Sequence, residues 1–345
     1  MLFRSYLGGA LGARPLVRRA AGPTILRAMM ALVTVAFFAC AAPLSFAWFF
    51  LWRFASGLAG GVLMVLAAPT VLRHVPPARR GLAGGVIFTG VGLGIAASGT
   101  VVPRLLEAGL VQTWCGLGVL SLLLTALAWG GWPADPTPAV AAASPAARRP
   151  APAGLALRTL YVEYALNAAG LVPHMVFLVD FVARGLGQGI DTGARYWVLF
   201  GVGAVLGPML AGATADRIGF GNALALALVA QAAAVALPTL TAEPLWLAVS
   251  SLLTGAAVPG IVPLVLGRVH ELVPHDPEGQ RAAWSVTTMA FALGQAAGAY
   301  GFSFLFARGG SYTPLFALAA GAIVLALAID LAGRLLLASE LTARV

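Results

Sequence analysis

The chain has 345 residues, of which 60% are hydrophobic and 10% charged, and its formal net charge is +9. Soluble domains average roughly 45–50% apolar and 25% charged residues, so the composition excludes an ordinary soluble protein. It favours a protein embedded in a lipid bilayer, which is then its main partner. The positive charge is spread over short segments between apolar runs, so we read it as a topology signal rather than a nucleic-acid-binding patch.

Enzyme and cofactor signatures are largely missing from the sequence. It contains 21 arginines and no lysine, which excludes a Walker A lysine and a Schiff-base lysine. It has neither a G-x-S-x-G nor an H-E-x-x-H motif. Cys40 and Cys115 are far apart, without the spacing of a metal or redox motif. We therefore expect no enzyme, no metal and no cofactor.

Ten apolar runs follow one another along the chain. About 20 apolar residues in a helix span the hydrocarbon core of a bilayer, and each run is long enough to do so. The runs lie at about 25–42, 46–68, 81–102, 110–131, 157–179, 195–215, 220–239, 244–266, 283–306 and 310–333. The sequence therefore predicts an all-α, polytopic membrane protein with about ten transmembrane helices.

The arginines predict the orientation of these helices, because basic residues collect in short cytoplasmic loops. With the N-terminal stub in the cytoplasm and alternating helices, sixteen arginines fall inside, four fall outside and Arg53 stays within a helix. The inner set is Arg4, Arg14, Arg18, Arg19, Arg27, Arg73, Arg79, Arg80, Arg148, Arg149, Arg158, Arg217, Arg268, Arg281, Arg334 and Arg344, and the outer set is Arg104, Arg184, Arg195 and Arg308. We therefore predict a multi-pass protein of the bacterial inner membrane with a cytoplasmic C-terminus.

One long segment without apolar periodicity divides the helices into four and six. Residues 133–156 are rich in alanine and proline, a composition typical of an extended loop. We predict an N-terminal half at 1–132 with a stub and four helices. A cytoplasmic linker at 133–156 and a C-terminal half at 157–345 with six helices follow.

The two predicted halves resemble each other. The segment from Gly9 to Arg14 matches the segment from Gly212 to Arg217 at an offset of 203 residues, and Arg80 matches Arg281 at 201. A further series at an offset of 198 pairs Gly57, Val71, Val75 and Pro76 with Gly255, Val269, Val273 and Pro274. An ordered series indicates duplication, and parallel repeats related by an axis along the membrane normal are a transporter architecture.

Several motifs resemble those of the major facilitator superfamily, whose twelve helices form two halves of six joined by a long cytoplasmic loop. The superfamily's G-x-x-x-D-R-x-G loop motif is matched by Gly212, Asp216, Arg217 and Gly219. In the first-half copy, Ala13 stands in the place of the acid.

Two further motifs carry the same resemblance. The R-x-x-x-G motif of the superfamily's fourth helix is matched by Arg53 and Gly57. Its glycine-rich fifth helix is matched by Gly90, Gly92, Gly94 and Gly99. Within the superfamily, residues 53–99 and 158–185 most resemble the bacterial YbfB/YjiJ family.

The resemblance implies a two-half helical bundle that carries a small organic solute by alternating access. It also implies proton coupling, with export preferred over import. The Asp216-Arg217 motif would act as a latch between helices at the cytoplasmic face, the alternative being an ordinary loop ion pair. The resemblance further implies helix packing at Gly57, Gly90, Gly94 and Gly99.

The resemblance to the superfamily also implies that the family's first helix and most of its second are missing from this sequence. A misassigned start and a true shortening both explain this. A shortened chain keeps open a second function class, a non-transporting or scaffolding membrane protein.

A polar stripe lies on the apolar run at 157–179. It consists of Glu163, Asn167, Gly170 and His174, spaced at i, i+4, i+7 and i+11 on one helical face. Such a stripe is predicted to face a water-filled cavity rather than lipid. Glu163 and His174 are then candidates for proton exchange, and Asn167 with nearby Tyr164 for hydrogen bonds to substrate. Alternatively, Glu163 is an interfacial partner of Arg158.

Arg53 and Gln295 are the remaining candidates. In the resemblance Arg53 is a cavity-side group of proton coupling, whereas its neighbours Trp48 and Trp52 favour an interfacial arginine. Gln295 is a candidate substrate contact or an interhelical hydrogen-bonding residue.

Two other polar residues are predicted to be structural. Asp180 lies off the polar stripe near the outer end of its helix, and we expect it to pair with Arg184. We predict that Gln231 packs between helices.

Overall fold

The structure is a computed structural model that describes residues 8, 9, 12, 16, 20–133 and 151–342. Most of the predicted stub, including Ala13 and Arg14, lies outside the described residues, as do residues 134–150 of the linker with Arg148 and Arg149. Throughout the described part the secondary structure is helical, without strands.

Ten helices of membrane-spanning length lie in this described part. They are α1 (Gly22–Ala41), α2 (Phe46–Leu72), α3 (Arg80–Ala108), α4 (Leu110–Ala128), α5 (Ala151–Val176), α6 (Ile190–Ile218), α7 (Phe220–Leu240), α8 (Pro244–Leu272), α9 (Pro277–Gly309) and α10 (Thr313–Thr342). A three-residue helix, Leu178–Asp180, and a π-helical turn, Phe181–Gly185, extend α5. The all-α prediction and all ten predicted spans are confirmed.

Most of the helices extend beyond their predicted limits, and α5 begins at Ala151, within the segment predicted as linker. Hydropathy marks the apolar centre of a span. The backbone continues to hydrogen-bond as a helix through the polar residues on either side, so hydropathy alone places the ends too close together.

Local sequence sets several helix ends. The Ser45 hydroxyl accepts a hydrogen bond from the backbone N–H of Trp48 at 3.1 Å and caps α2. The Asp276 carboxylate accepts one from the N–H of Gly279 at 2.8 Å and caps α9. Gly109 and Gly219, with φ of 119° and 82°, end α3 and α6 in a backbone conformation that favours glycine.

The helices before and after residues 134–150 form two groups, which we call the N-terminal group (α1–α4) and the C-terminal group (α5–α10). In the first, α1 packs against α2 and α4. In the second, α5 packs against α9 and α10, and α7 packs against α8 and α10. The main contact between the groups runs along α3 and α6, with α6 also packed on α8.

Because each helix crosses the membrane once, the loops fall at two ends of the bundle. We call the end where residues 134–150 join α4 to α5 the linker side, and the opposite end the far side. The loops after α2, α6 and α8 lie at the linker side, so the G-x-x-x-D-R-x-G motif at the end of α6 is placed there.

Candidate functional site

Glycines bring the backbones of α3 and α6 into contact along a seam between the two groups. Gly81 lies against the carbonyl oxygen of Gly212, Gly85 against that of Pro208, and Gly92 against that of Ala204. A Cβ at any of these three glycines would overlap the facing backbone. Such small residues allow close approach of helices in a membrane, where van der Waals packing replaces the hydrophobic effect between them. We call this contact the α3–α6 seam.

The predicted packing glycines lie only partly in this seam. Gly99 packs against the indole of Trp197: a Cβ at this glycine would lie 3.2 Å from Cδ1 of the tryptophan. The predictions for Gly90 and Gly94 are wrong, because a Cβ at either would meet nothing within 4 Å in the described structure. Helical periodicity turns these two away from α6, while Gly92 faces it. Gly57 is half-buried in α2.

Asp216, in the last turn of α6, binds the first turn of α3. Its Oδ1 accepts a hydrogen bond from the N–H of Gly81 and its Oδ2 one from the N–H of Leu82, both at 2.9 Å. The first N–H groups of a helix have no partner inside the helix, and the helix dipole favours a negative charge beside them. A carboxylate of one group therefore caps a helix of the other, which is the geometry that the latch hypothesis requires. We call this the Asp216–α3 contact.

The other motif residues shape the end of α6 around this carboxylate. Gly212 faces the Gly81 backbone so closely that a side chain there would overlap it. Gly219 ends α6 with its N–H donating to the carbonyl of Ala215 at 2.8 Å. The Arg217 side chain is exposed. The motif glycines are thus required by backbone approach and by a positive φ, respectively.

The polar stripe of α5 points into the interior of the C-terminal group. The amide Nδ2 of Asn167 donates to Oε1 of Gln231 on α7 at 2.6 Å, with both residues 1% exposed. Beside Gly170 lie the side chain of Ile323 and the carbonyl of Ala319, so this glycine lets α10 approach. The stripe therefore packs against α7 and α10.

His174 lies at the far-side end of the stripe and is fully buried. Its Nε2 is 2.8 Å from the hydroxyl of Ser250 on α8, which lies 2.7 Å from the carbonyl of Ala234. Since the single hydroxyl proton of Ser250 is donated to that carbonyl, the histidine proton sits on Nε2 and is donated to Ser250. Nδ1 of His174 has no hydrogen-bond partner in the described part of the chain.

The prediction that the stripe faces a water-filled cavity is wrong for Asn167 and His174. Polar side chains of neighbouring helices, Gln231 and Ser250, satisfy them instead, because a buried polar group needs a hydrogen-bond partner but not necessarily water. The packing role predicted for Gln231 holds, and its partner is the stripe itself.

Glu163 lies at the linker-side end of the stripe, in a cleft among α5, α8 and α10. The residue is 3% exposed, and its Oε1 has no hydrogen-bond partner among the described residues. Arg268 of α8 and Asp330 and Arg334 of α10 line the same cleft. Arg158 is exposed, so the charges near Glu163 come from α8 and α10. Sequence reasoning missed these three, because each lies at a helix end where a charge is common.

Tyr164, on another face of α5, and Gln295, on α9, lie where these two helices pack together. The rings of Tyr164 and Phe291 are 4.8 Å apart between centroids, and Nε2 of Gln295 lies 3.5 Å from the sulfur of Met175. Phe291 and Met175 belong to an apolar cluster with Ile95 of α3 and Trp197 and Phe200 of α6. Tyr164 and Gln295 are thus near the boundary between the two groups.

Arg53 is separate from these residues, in the N-terminal group. It is half-buried, and its guanidinium lies 5.4 Å from the ring centroid of Trp114 on α4, a cation–π distance. The neighbouring Trp48 and Trp52 rings form an edge-to-face pair, with centroids 5.5 Å apart. The structure therefore places Arg53 in an aromatic environment.

A polar cluster at the far side has a structural role. Nε of Arg184 lies 3.2 Å from Oδ1 of Asp180, which confirms the predicted pair, and the hydroxyl of Tyr312 donates to Oδ2 of Asp180 at 2.6 Å. Burial, together with this hydrogen bond and the carboxylate charge, raises the pKa of Tyr312 to about 12. The cluster ties the end of α5 to the loop before α10.

Solved structures share this architecture. The human organic anion transporter MFSD10 (TETRAN) is 18% identical with a TM-score of 0.72, over 95% of this chain and 80% of the transporter. A variant of the E. coli fucose:proton symporter FucP is 14% identical with a TM-score of 0.71, over 96% of this chain and 90% of the symporter. FucP in the outward conformation is 16% identical with a TM-score of 0.71, over 96% of this chain and 89% of the symporter. These similarities show the fold.

No curated protein matches the chain. Residues 3–331 match the family described as uncharacterised MFS-type transporter YbfB. This match covers nearly the whole sequence and agrees with the helical architecture and with the motif residues on α6. The chain therefore belongs to the YbfB-type family of major facilitator superfamily transporters.

Proposed function

We propose that the protein is a secondary active transporter that moves a small organic solute across a bacterial inner membrane by alternating access, coupled to protons and in the direction of export. The observation that carries this proposal is the Asp216–α3 contact. In this contact one carboxylate of the C-terminal group accepts two hydrogen bonds from N–H groups of the N-terminal group at the linker side. Such a contact can break and re-form as the groups rock.

The linker side is proposed to be the cytoplasmic side, with the linker and the C-terminus there. The distribution of arginines supports this orientation. With the Asp216–α3 contact formed and Trp284 of α9 donating to the carbonyl of Met64 on α2 at 3.4 Å, the groups meet on that side.

Glu163 is the principal candidate for proton coupling. It is a buried carboxyl that faces two arginines and an aspartate, and intramembrane carboxyls of this kind are typical of proton relays. His174, with a buried and unpartnered Nδ1, is a second candidate. Arg53 is a third, with its charge stabilised by Trp114.

The proposed substrate surface lies around Gln295 and Tyr164. Both are next to the apolar cluster that contains residues of both groups, and Gln295 is half-buried rather than sealed. Asn167 would act from behind this surface, through the packing of α5. An amide and a phenol beside aromatic and thioether groups suit a solute with an apolar body and a hydrogen-bonding group. One structural neighbour carries organic anions and another fucose with a proton, which supports this class.

The test is a flux assay with the purified protein in proteoliposomes that contain a pH-sensitive dye. Defined sugars, organic acids and organic amines are added one at a time with and without an imposed proton gradient. We expect at least one solute to cause proton movement that depends on the protein. Asp216→Ala is expected to lower solute flux at least tenfold, and Glu163→Gln to abolish proton movement.

Glu278→Gln, at an exposed carboxyl on the linker side, is the matched control and should behave as the wild type. Solute flux without proton movement in the wild type would refute proton coupling. Coupled flux that persists unchanged in Glu163→Gln would refute the role of that residue.

A further inference from the structure

The cleft around Glu163 opens at the linker-side end of the C-terminal group. Residues of α5, α8 and α10 line it. Arg268 comes from α8, and Asp330 and Arg334 come from α10, while α5 adds no other charged group to the lining. One oxygen of Glu163 is buried there without a hydrogen-bond partner in the described structure. An ionised carboxylate in this position would leave a buried charge unpaired, so the geometry is that of an uncharged carboxyl.

The two arginines of the cleft have partners other than Glu163. Arg334 pairs with Asp330, with Nε to Oδ1 at 3.0 Å. Nη2 also lies 2.6 Å from Oδ2 of Asp330. Two bonds reach the start of α7: Nη1 donates to Oδ1 of Asn222 at 3.0 Å, and Nη2 donates to the carbonyl of Gly221. The Arg334 side chain is 25% exposed, so these bonds are partly shielded from water.

Arg268 reaches the same turn through an acid. Its Nη1 lies 2.8 Å from Oε2 of Glu271, and Oε1 of Glu271 accepts the N–H of Phe220 at 3.0 Å. The turn from α6 to α7 at residues 219–222 is thus held on one side by charges that line or adjoin the Glu163 cleft. We call this set of bonds the turn anchor.

The nearest bond of the turn anchor, at the N–H of Phe220, is four residues along the chain from Asp216. Gly219 separates α6 from α7 with a positive φ, and Asp216 lies in the last turn before it. A displacement of Phe220 or Gly221 therefore moves the end of α6 and the carboxylate that binds the Gly81 and Leu82 N–H groups. A continuous series of hydrogen bonds and one short turn connects the cleft with the contact between the groups.

We propose that Glu163 and the arginines of the turn anchor form a proton-controlled switch for the Asp216–α3 contact. When Glu163 is protonated, Arg334 and Arg268 keep their bonds to the turn and the linker side stays closed. When Glu163 loses its proton, the new carboxylate competes for these arginines, since a buried charge recruits the nearest opposite charge. The turn is then released and the linker side opens. The proposal rests on the proposed transport function and names the positioning residues, Arg268 and Arg334, through which the proton would act.

If ionisation of Glu163 favours opening of the linker side, then opening must equally favour ionisation of Glu163, because thermodynamic coupling is reciprocal. Opening of the linker side must strengthen the binding of arginine to ionised Glu163 and so promote proton release on that side. In the proposed orientation the proton is therefore released to the cytoplasm, as export driven by proton entry requires.

The experiment measures the distance between the groups rather than transport. Spin labels are placed at two exposed linker-side positions, Ala78→Cys and Ile218→Cys, in a background in which Cys40 and Cys115 are replaced by alanine. Pulsed electron paramagnetic resonance then records the distance distribution in nanodiscs at pH 5.5 and pH 8.5. We expect the ratio of open to closed populations to rise at least about fivefold with pH, at the lower limit of typical allosteric couplings.

Glu163→Gln is expected to keep the closed distance at both pH values, and Glu278→Gln is expected to respond as the wild type. Asn222→Ala removes one bond of Arg334 and leaves its pair with Asp330, so it should weaken the pH response without loss of the fold. A response of wild-type size in Glu163→Gln would overturn the proposal, and so would a wild-type response in both Asn222→Ala and Arg334→Gln. The distance measurement uses no solute. Its outcome can therefore be told apart from a failure of the transport assay, which tests the proposed function.

Discussion

The α3–α6 seam and the polar stripe of α5 both bury backbone or polar groups inside the membrane-spanning part, but in different ways. The seam is made of glycines and backbone, and its polar contact is one carboxylate at the end of a helix. The stripe is made of side chains that hydrogen-bond across helices, such as Asn167 with Gln231 and His174 with Ser250. Backbone packing with little hydrogen bonding suits two surfaces that separate, whereas paired buried side chains are costly to separate. We infer that the seam is the moving contact between the two groups.

The largest effect is expected from filling the seam. In Gly212→Val the new side chain would overlap the Gly81 backbone. Overpacking typically costs about 1–3 kcal/mol, and because backbone faces backbone here we expect about 3 kcal/mol. Thermal unfolding in detergent and solute flux should both decrease strongly. Gly94→Val is the control, since that position is open in the described structure, and equal damage in both variants would contradict the assignment of the seam.

The second effect tests the pairing inside the C-terminal group. Asn167→Leu leaves the buried amide of Gln231 without its partner, which should cost about 1–3 kcal/mol. The double variant Asn167→Leu/Gln231→Leu removes both groups and should recover much of the lost stability. Differential scanning fluorimetry of the single and double variants measures this. A double variant less stable than either single variant would show that the two residues do not act as a pair.

The third effect tests the contact that joins the two regions. Asp216→Ala removes a helix cap, which is typically worth about 0.5–2 kcal/mol. Since 1.4 kcal/mol is a factor of about ten in a population, the linker side should open several-fold more often, with little loss of unfolding temperature. The distance between spin labels at Ala78→Cys and Ile218→Cys, with Cys40 and Cys115 replaced by alanine, reports the opening. Glu107→Ala, at an exposed carboxyl near the far side, should leave the distance distribution unchanged.

The smallest effect concerns the far-side cluster and depends on pH. Tyr312→Phe removes the hydrogen bond to Asp180 and should cost about 1 kcal/mol or less, because the site is partly solvated. The pKa of Tyr312 is raised to about 12 by burial and by this bond, so the folded state holds this proton more tightly than the unfolded state does. The stabilisation of the folded state by this hydrogen bond is therefore complete below about pH 10, the ordinary tyrosine pKa. It is lost as the pH rises toward 12.

Unfolding temperatures of the wild type and Tyr312→Phe at pH 8.5 and pH 11.5 test this sign. The difference between the two proteins should shrink at the higher pH. A difference that grows with pH would mean that the phenol is stabilised in its ionised form.

Particular residues show how far sequence reasoning reached. The ten spans, the Asp180–Arg184 pair and the family follow from composition, local spacing and motif. The packed face of a glycine-rich helix is harder to predict: the motif resemblance predicts packing at Gly90 and Gly94, whereas Gly81, Gly85 and Gly92 face α6. A glycine-rich helix has glycines on several faces, and only the position of the partner helix decides which face is buried.

The sequence by itself determined that this is a bundle of ten apolar helices, because bilayer thickness and backbone hydrogen bonding allow few other solutions for such a chain. It also placed Asp216 at a helix end and Glu163 on a polar face. The tertiary structure decided that Asp216 caps a helix of the other group, that Asn167 pairs with Gln231, and that Glu163 faces Arg268 and Arg334. These contacts join residues that are about 60 to 170 positions apart in the chain. Apolar periodicity records which face of a helix avoids water, but not which helix lies against that face.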